Sequence, residues 1–405
     1  MRKSFRTVGA SIAVGVLALT ATVATGGAAS AAKNTSPIVV GGVWSASTYT
    51  GADVGAKAAF NAFNAAGGLG GRKIKFIGMQ DDGQNPTSDI AAAKALVNEH
   101  VLAVVPVVTE AWVAGKVLQQ AAIPYFGWGI STGWWQSSNG FSFVGAVPPN
   151  PKDEKQVRSV ATEICLTVKG GCKGKTVALA AINNASAINS LQLFAAEWKK
   201  EGAKVVAQVS SIPEPPAVVS DYTPYVNQLM TSNNGKQPDF IQQVLPPEDD
   251  VSIIAQLNHS GFKGTDYNFS LYDPRAAAVA KGSDTLVTFA PWEQSSAAVA
   301  QMTKDVKATD PNVILGQPTE AGYWSAEMLI AALKKVGPSV TSASLTAALN
   351  KGWTFSVPGG TGPATFPGAH AGPGGCGSIV SSNGQKYSVV LPLTCIPLTK
   401  NPLLG

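Results

Sequence analysis

Gly129-Ile130-Ser131-Thr132-Gly133 has the GxSxG pattern of a hydrolase nucleophile elbow and directly follows an apolar, strand-like run. Asp273 and His370 come later in the order that such a triad uses, so a secreted serine hydrolase acting through Ser131 is one reading. Two features oppose it. The elbow requires a helix immediately after the serine, whereas Trp134 to Gly140 reads as loop, and His370 sits in a segment rich in Gly and Pro. In a chain with 42 glycines the five-residue pattern also arises readily by chance. Gly174-Lys175-Thr176 copies the end of a phosphate-binding loop, but Lys169 stands where the first glycine belongs and a strand follows. Gly67 to Gly71 lies after a helix and before a strand, the reverse of a dinucleotide-binding context. Asp81-Asp82, at a strand end before Gly83, reads as a loop-capping pair rather than as catalytic carboxylates. The sequence therefore nominates no catalytic residue, no cofactor and no metal.

The four cysteines fall into two local pairs, Cys165 with Cys172 around a Gly-Gly turn and Cys376 with Cys395 around a predicted hairpin through Asn383-Gly384. In an exported protein two local disulfides are the natural expectation. A zinc site competes weakly, because neither pair has CxxC spacing and the histidines are His100, His259 and His370 alone. Export is suggested by Arg2, Lys3 and Arg6 ahead of an apolar run from Val8 to Ala24, with Ala29-Ser30-Ala31 as a small-residue cleavage site, so residues 1–31 read as a signal peptide cleaved near Ala31. Its removal takes away three basic residues, and the formal charge of +5 falls to about +2. Such a balance excludes a nucleic-acid partner as the default. No later run is long and apolar enough to span a bilayer, and no cysteine follows the cleavage site to carry a lipid.

The elements that would position a site alternate in type. Pro37 to Val43 is an apolar strand, a helix from about Ala52 to Ala65 carries Ala56, Phe60 and Phe63 on one face, and Ile74 to Gln80 resumes the strand pattern after a glycine turn. A helix from Asn85-Pro86, a strand at Val101 to Val107, a helix from Ala111 to Ala121 and a strand at Ile123 to Phe126 continue the series. Trp128 to Gly140 reads as loop, and Asn150-Pro151 as the start of a helix with Val157, Val160, Ala161 and Ile164 at helical spacing. Strands at Thr176 to Ile182, Lys204 to Val209, Phe240 to Val244 and Tyr267 to Tyr272 follow, with helices at Leu191 to Glu201 and Asp250 to His259. Ser211 to Pro224 reads as an extended loop. Later helices are expected at Ala297 to Ala308 and Gly322 to Val336, and a hairpin at Ser378 to Leu393. This alternation over 405 residues predicts an α/β chain of two lobes, each a parallel sheet covered by helices.

In such folds ligands lie beyond the carboxyl ends of strands. The loops there, Trp44 to Tyr49, Thr109 to Trp112, Trp128 to Thr132, Asn183 to Asn189, Leu245 to Glu248 and Tyr272 to Arg275, are rich in Trp, Tyr, Ser, Thr and Asn. Hydroxyls and helix-terminal amides suit a carboxylate, an acidic residue suits an ammonium, and aromatic walls exclude water around both.

The run NAAGGLGGRKIKFIGMQDDGQNPTSDIAAAKALVNE from Asn64 to Glu99 resembles the substrate-binding proteins of ABC transporters, in particular the branched-chain amino acid-binding (leucine/isoleucine/valine) group of the type I periplasmic-binding fold. The likeness extends more weakly from about Pro37 to Gly352. It implies two Rossmann-like lobes with parallel sheets joined by a multi-strand hinge, with lobe 1 formed by residues 36–149 and 289–352 and lobe 2 by 150–288 and 353–405. It also implies an extracytoplasmic monomer that closes around a small ligand and meets an ABC permease. Thr109 and Ser131 match the hydroxyl positions that hold a ligand carboxylate, Asp273 the acidic partner of an ammonium, and Tyr49 the first-loop tyrosine. Trp44, Trp112, Trp128 and Ser186 complete the expected wall. The family's serine pair is replaced by Val108-Thr109-Glu110-Ala111-Trp112, and Arg275 beside Asp273 suits an anionic ligand instead, so a sensor for aromatic acids or amides stands as the alternative. For the tryptophans packing is the competing role, and for Thr109, Ser131 and Asp273 it is capping.

Overall fold

The computed structural model describes residues 35–135, 137–148, 156–215, 217–370 and 372–404; the expected signal peptide and the start of the helix expected at Asn150 lie outside them. The opening unit forms as the apolar spacing requires. β1 (Ile38–Trp44) is almost wholly buried, α1 (Ala52–Ala65) turns Ala56, Phe60 and Phe63 inward, and β2 (Ile74–Asp81) pairs parallel to β1. α2 (Pro86–Asn98) is capped by the Asn85 side chain, which accepts from Thr87 N and Ser88 N. β3 (Ala103–Val108) is buried throughout, and α3 (Gly115–Gln120), β4 (Tyr125–Gly127) and β5 (Gly140–Ser142) complete a five-stranded parallel sheet in the order β2-β1-β3-β4-β5.

The chain then builds a second sheet. Its elements are β6 (Gln156–Val157), α4 (Val160–Thr167), β7 (Thr176–Ile182), α5 (Ala185–Lys200), β8 (Lys204–Ile212), α6 (Thr223–Met230), β9 (Phe240–Val244), α7 (Pro247–His259), β10 (Thr265–Asn268) and β11 (Ser283–Val287). It returns to the first sheet with α8 (Ala297–Thr309), α9 (Gln317–Val336) and α10 (Ser342–Leu349). Then come the hairpin β12 (Thr354–Val357) with β13 (Thr361–Thr365), the hairpin β14 (Cys376–Ser382) with β15 (Tyr387–Cys395), and β16 (Thr399–Lys400). The larger sheet runs β15-β14-β11-β10-β9-β7-β8, parallel from β11 to β8, with β14 and β15 antiparallel at one edge. The disulfides Cys165–Cys172 and Cys376–Cys395 pair as the spacing suggested, the second between directly opposed residues of β14 and β15.

α9 is the buried spine of the first lobe, and small residues let it lie against α1. A Cβ on Gly55 would sit 1.9 Å from Thr319 O and one on Gly322 would sit 1.9 Å from Ala52 O, so each glycine admits the other helix's backbone. α9 begins at Gln317 rather than Gly322 because Pro318 suits its first turn. Between the sheets the chain passes three times: after β5, from β11 to α8, and from β13 to β14. Backbone bridges Gly145–Pro373 and Phe289–Thr361, and a 2.6 Å hydrogen bond from Ser378 Oγ to Phe289 O, tie these crossings together.

Several local expectations are corrected. Val157 has helical spacing to Val160 and Ile164, yet it pairs with Thr399 in a two-stranded ribbon, and α4 starts only after Ser159, whose side chain accepts from Thr162 N. The helix expected from Ala111 starts at Gly115, because Asp89 Oδ2 takes Val113 N at 2.7 Å and Ala114 N at 2.9 Å and holds that stretch as a turn. The loop after β4 contains a 3-10 turn, Thr132–Trp134, and ends in β5. Among the described residues no helix is long and apolar enough to cross a membrane.

Candidate functional site

The carboxyl ends of both sheets open onto one cavity of about 560 Å³. From the first sheet come Thr48 and Tyr49 after β1, Glu110 after β3, and Trp128 and Ile130 after β4. From the second come Asn184 after β7, Leu245 after β9, Phe269 and Leu271 after β10, and Thr288 after β11. Val157, Val160, Leu193 and Phe194 extend the wall, and most of it is apolar. A smaller cavity of about 140 Å³ shares Thr48, Tyr49, Glu110, Ile182 and Asn184 with the large one and adds Gln84 and Glu214. The two are compartments of one cleft.

Tyr49 and Trp128 form its aromatic corner, edge to face at 6.1 Å. Each polar tip has a partner. Tyr49 OH donates to Glu110 Oε1 at 2.7 Å, and Trp128 Nε1 donates to Thr288 Oγ1 at 3.0 Å, which ties the first sheet's loop to the second crossing. Burial, followed by the Glu110 charge, holds the Tyr49 phenol well above its usual range, so it stays a donor. Glu110 keeps accessible surface in the cleft, yet the surrounding protein displaces enough water to raise its carboxyl; Glu248, Glu214 and Asp249 across the cleft push it the same way, and the Tyr49 hydrogen bond pulls it down. Gln84 Nε2 reaches across to Glu248 Oε1 at 3.4 Å.

Both arginines on the wall are neutralised within the protein. Arg158 is buried and grips Glu163 through two bonds of 2.6 and 2.5 Å. Arg275 pairs with Asp273 at 3.0 and 2.7 Å. Gln317 is 4% exposed and lines the cavity, and its side-chain amide has no hydrogen-bond partner among the described residues.

Of the eight residues expected from the sequence, the cavity wall contains Tyr49, Trp128, Ser186 and Asp273. Asp273 also caps the 3-10 turn Pro274–Ala276 by accepting from Arg275 N at 2.7 Å. The other four lie elsewhere. Trp44 ends β1 between β2 and β3. Thr109 Oγ1 is buried, accepts from Ala111 N at 3.0 Å and shares a 2.9 Å hydrogen bond with Ser45. Trp112 packs with Tyr125 at 5.0 Å and with Trp134 at 6.4 Å. Ser131 Oγ donates to Trp112 O at 3.1 Å and accepts from Gly133 N at 3.2 Å. The hydrolase triad is not assembled, since Asp273 is held by Arg275 and the His370 ring nitrogens lie 2.8 Å from Gly140 O and 2.6 Å from Asn350 Oδ1.

Sequence reasoning missed Glu110, Glu248 and Gln317. The first two stood inside loops already marked as strand ends, and their carboxylates were the available signal. Gln317 carried none, because its helix was expected to start five residues later.

The family model described as periplasmic binding protein matches residues 38–386. No curated protein matches the sequence. Among solved structures the fold is similar to a possible leucine/isoleucine/valine-binding protein from Rhodopirellula baltica, at 17% identity and a TM-score of 0.72 over 88% of this chain and 97% of that one. It is also similar to an R. palustris ABC-transporter solute-binding protein in complex with benzoate, at 18% identity and a TM-score of 0.69 over 89% and 98%. A fatty acid ABC transporter substrate-binding protein from Thermomonospora curvata matches at 16% identity and a TM-score of 0.68 over 91% and 94%. With a family match over most of its length and two parallel-dominated sheets opening onto a shared cleft, the chain belongs to the periplasmic binding protein family and has the type I fold.

Proposed function

We propose that this protein is the exported, non-catalytic solute-binding component of an ABC importer, capturing a small amphipathic molecule in the cleft and presenting it to a membrane permease. The observation that carries this reading is the cavity itself, walled by strand-end loops of both sheets and largely apolar. The lobes close on the ligand by rotating about the three crossings, and the mature chain acts as a monomer. Closure is favoured when the ligand contacts both walls at once, because each wall alone offers only part of the burial.

Branched-chain amino acids are the ligands that the sequence resemblance suggests. The cavity of about 560 Å³ has the size of a small-molecule site and leaves room for longer or bulkier apolar bodies as well as for leucine. The hydroxyls of Thr109 and Ser131 are engaged within the protein and lie off the cavity wall, which counts against their holding a ligand α-carboxylate. Aromatic acids and fatty acids, named for the structural neighbours, keep the apolar requirement.

A thermal-shift screen of the chain from Ala32 against amino acids, benzoates, fatty acids and hydrophobic amines tests the reading. Stabilisation by at least one class that is lost in Trp128→Ala is expected. Equal stabilisation of both proteins would place binding outside the cleft.

A further inference from the structure

We infer that the ligand's polar end is a cationic amine, held between Glu110 on the first sheet's side of the cleft and Glu248 on the second's, with its apolar body in the larger chamber. This rests on the reading of the cleft as the ligand site. Five charged side chains line the large cavity: Glu110, Arg158, Glu248, Asp273 and Arg275. Arg158 is matched by Glu163, and Asp273 and Arg275 match each other. Glu110 and Glu248 are left without an ion pair among the described residues, and Glu214 adds a third carboxylate at the adjoining chamber.

Such an arrangement favours a cation. Glu248 acts on Glu110 across the cleft, and an ammonium between the two carboxylates gains an attraction to each. Glu248 lies in the first turn of α7. Tyr49 and Trp128, which pack edge to face beside Glu110, offer ring faces that also attract a cation. No charged side chain on the wall offers an unpaired cation to a carboxylate, since both arginines are neutralised. Gln317, 4% exposed and with no side-chain hydrogen bond among the described residues, offers a second polar contact for the same ligand on the cavity wall.

The preference also supplies a closing signal. A cation contacting Glu110 and Glu248 together binds the closed cleft better than the open one, which is the differential affinity that closure requires.

The test is calorimetric titration of the chain from Ala32 with four probes: 4-phenylbutylamine, 4-phenylbutanol, 4-phenylbutyrate and leucine. The amine is expected to bind about tenfold or more tightly than the isosteric alcohol and acid, the span of one charge-assisted hydrogen bond. Glu110→Gln and Glu248→Gln should each abolish the amine's advantage and leave the alcohol's affinity within about threefold, with thermal melts confirming that both variants fold. Binding of 4-phenylbutyrate or leucine in preference to the amine would overturn the cationic assignment and leave the cleft as the ligand site. Failure of all four probes at millimolar concentration would overturn the cationic assignment, and failure of the benzoates and fatty acids of the screen as well would overturn the reading of the cleft on which it rests.

Discussion

Trp112, Tyr125 and Trp134 pack within 4.8 to 6.4 Å of one another beside α3, whereas Tyr49 and Trp128 meet at 6.1 Å on the wall of the cleft. The residue types are the same, and all but Tyr125, which opens β4, lie in segments that follow strands of the first sheet. Their polar tips separate them. Trp134 has no hydrogen-bond partner for its indole N–H among the described residues, and its cluster is closed off from the cavity. Trp128 bonds to Thr288 and Tyr49 to Glu110, so the second pair links the sheets and meets a charge. On the proposed reading, an aromatic residue near a strand end serves packing when its neighbours enclose it and recognition when it lines the cleft.

The sharpest way to break this comparison is to delete one ring from each group. Trp134→Ala should cost about 3–5 kcal/mol of stability, read as the urea midpoint, because it leaves a large hole among buried rings. Trp128→Ala should instead lose about tenfold to a hundredfold in affinity for any ligand found in the screen, at a smaller cost in stability. If the two losses were exchanged, the assignment of the clusters would be reversed.

The carboxylates beside each cluster extend the contrast to pH. Burial raises Asp89 from 3.8 to about 7, with Asp82 adding to the rise and the Val113 and Ala114 N–H groups opposing it. A folded-state value above the unfolded one means the native protein holds that proton more tightly. Its contribution to stability is full below about pH 4 and is lost as pH rises through about 7, and Asp89→Asn should flatten that slope in denaturation measured across the range. Glu110, which faces Tyr49, Glu248, Glu214 and Asp249, titrates into binding instead. Affinity for an amine should weaken as pH falls through its raised value, because a protonated Glu110 carries no charge to offer. The smallest expected effect is that of Ser131→Ala. Loss of its cap on the 3-10 turn should cost about 1 kcal/mol, read in the unfolding midpoint and not in ligand affinity.

The alternation of strands and helices was legible because each element carries its own period. α1, with Phe60 and Phe63 on one face, needed no knowledge of the rest of the chain. Elements determined by distant partners were not legible. Val157 is drawn into a strand by Thr399, and β5 is three residues long and exists because β4 lies beside it. The site divides in the same way. Tyr49, Trp128 and Ser186 could be found from the rule that ligands gather at strand ends. Thr109 and Ser131 could not be told from ligand-binding hydroxyls until Ala111 N, Ser45 and Trp112 O were seen to occupy them. Glu110 and Glu248 acquired meaning only when the fold brought both to one cavity and gave the two arginines other partners.

The central claim is that the cleft between the sheets captures a small molecule through the Tyr49 and Trp128 corner. Thermal unfolding of the wild-type chain and of Trp128→Ala, each with and without the best ligand from the screen, tests it most directly. At 100 times its dissociation constant a ligand should add about 2.7 kcal/mol of stability to the wild type, a shift of several degrees. Little or no shift is predicted for the variant. A ligand that stabilises both proteins equally, or a screen in which no amino acid, aromatic acid, fatty acid or amine shifts the wild type, would contradict the account.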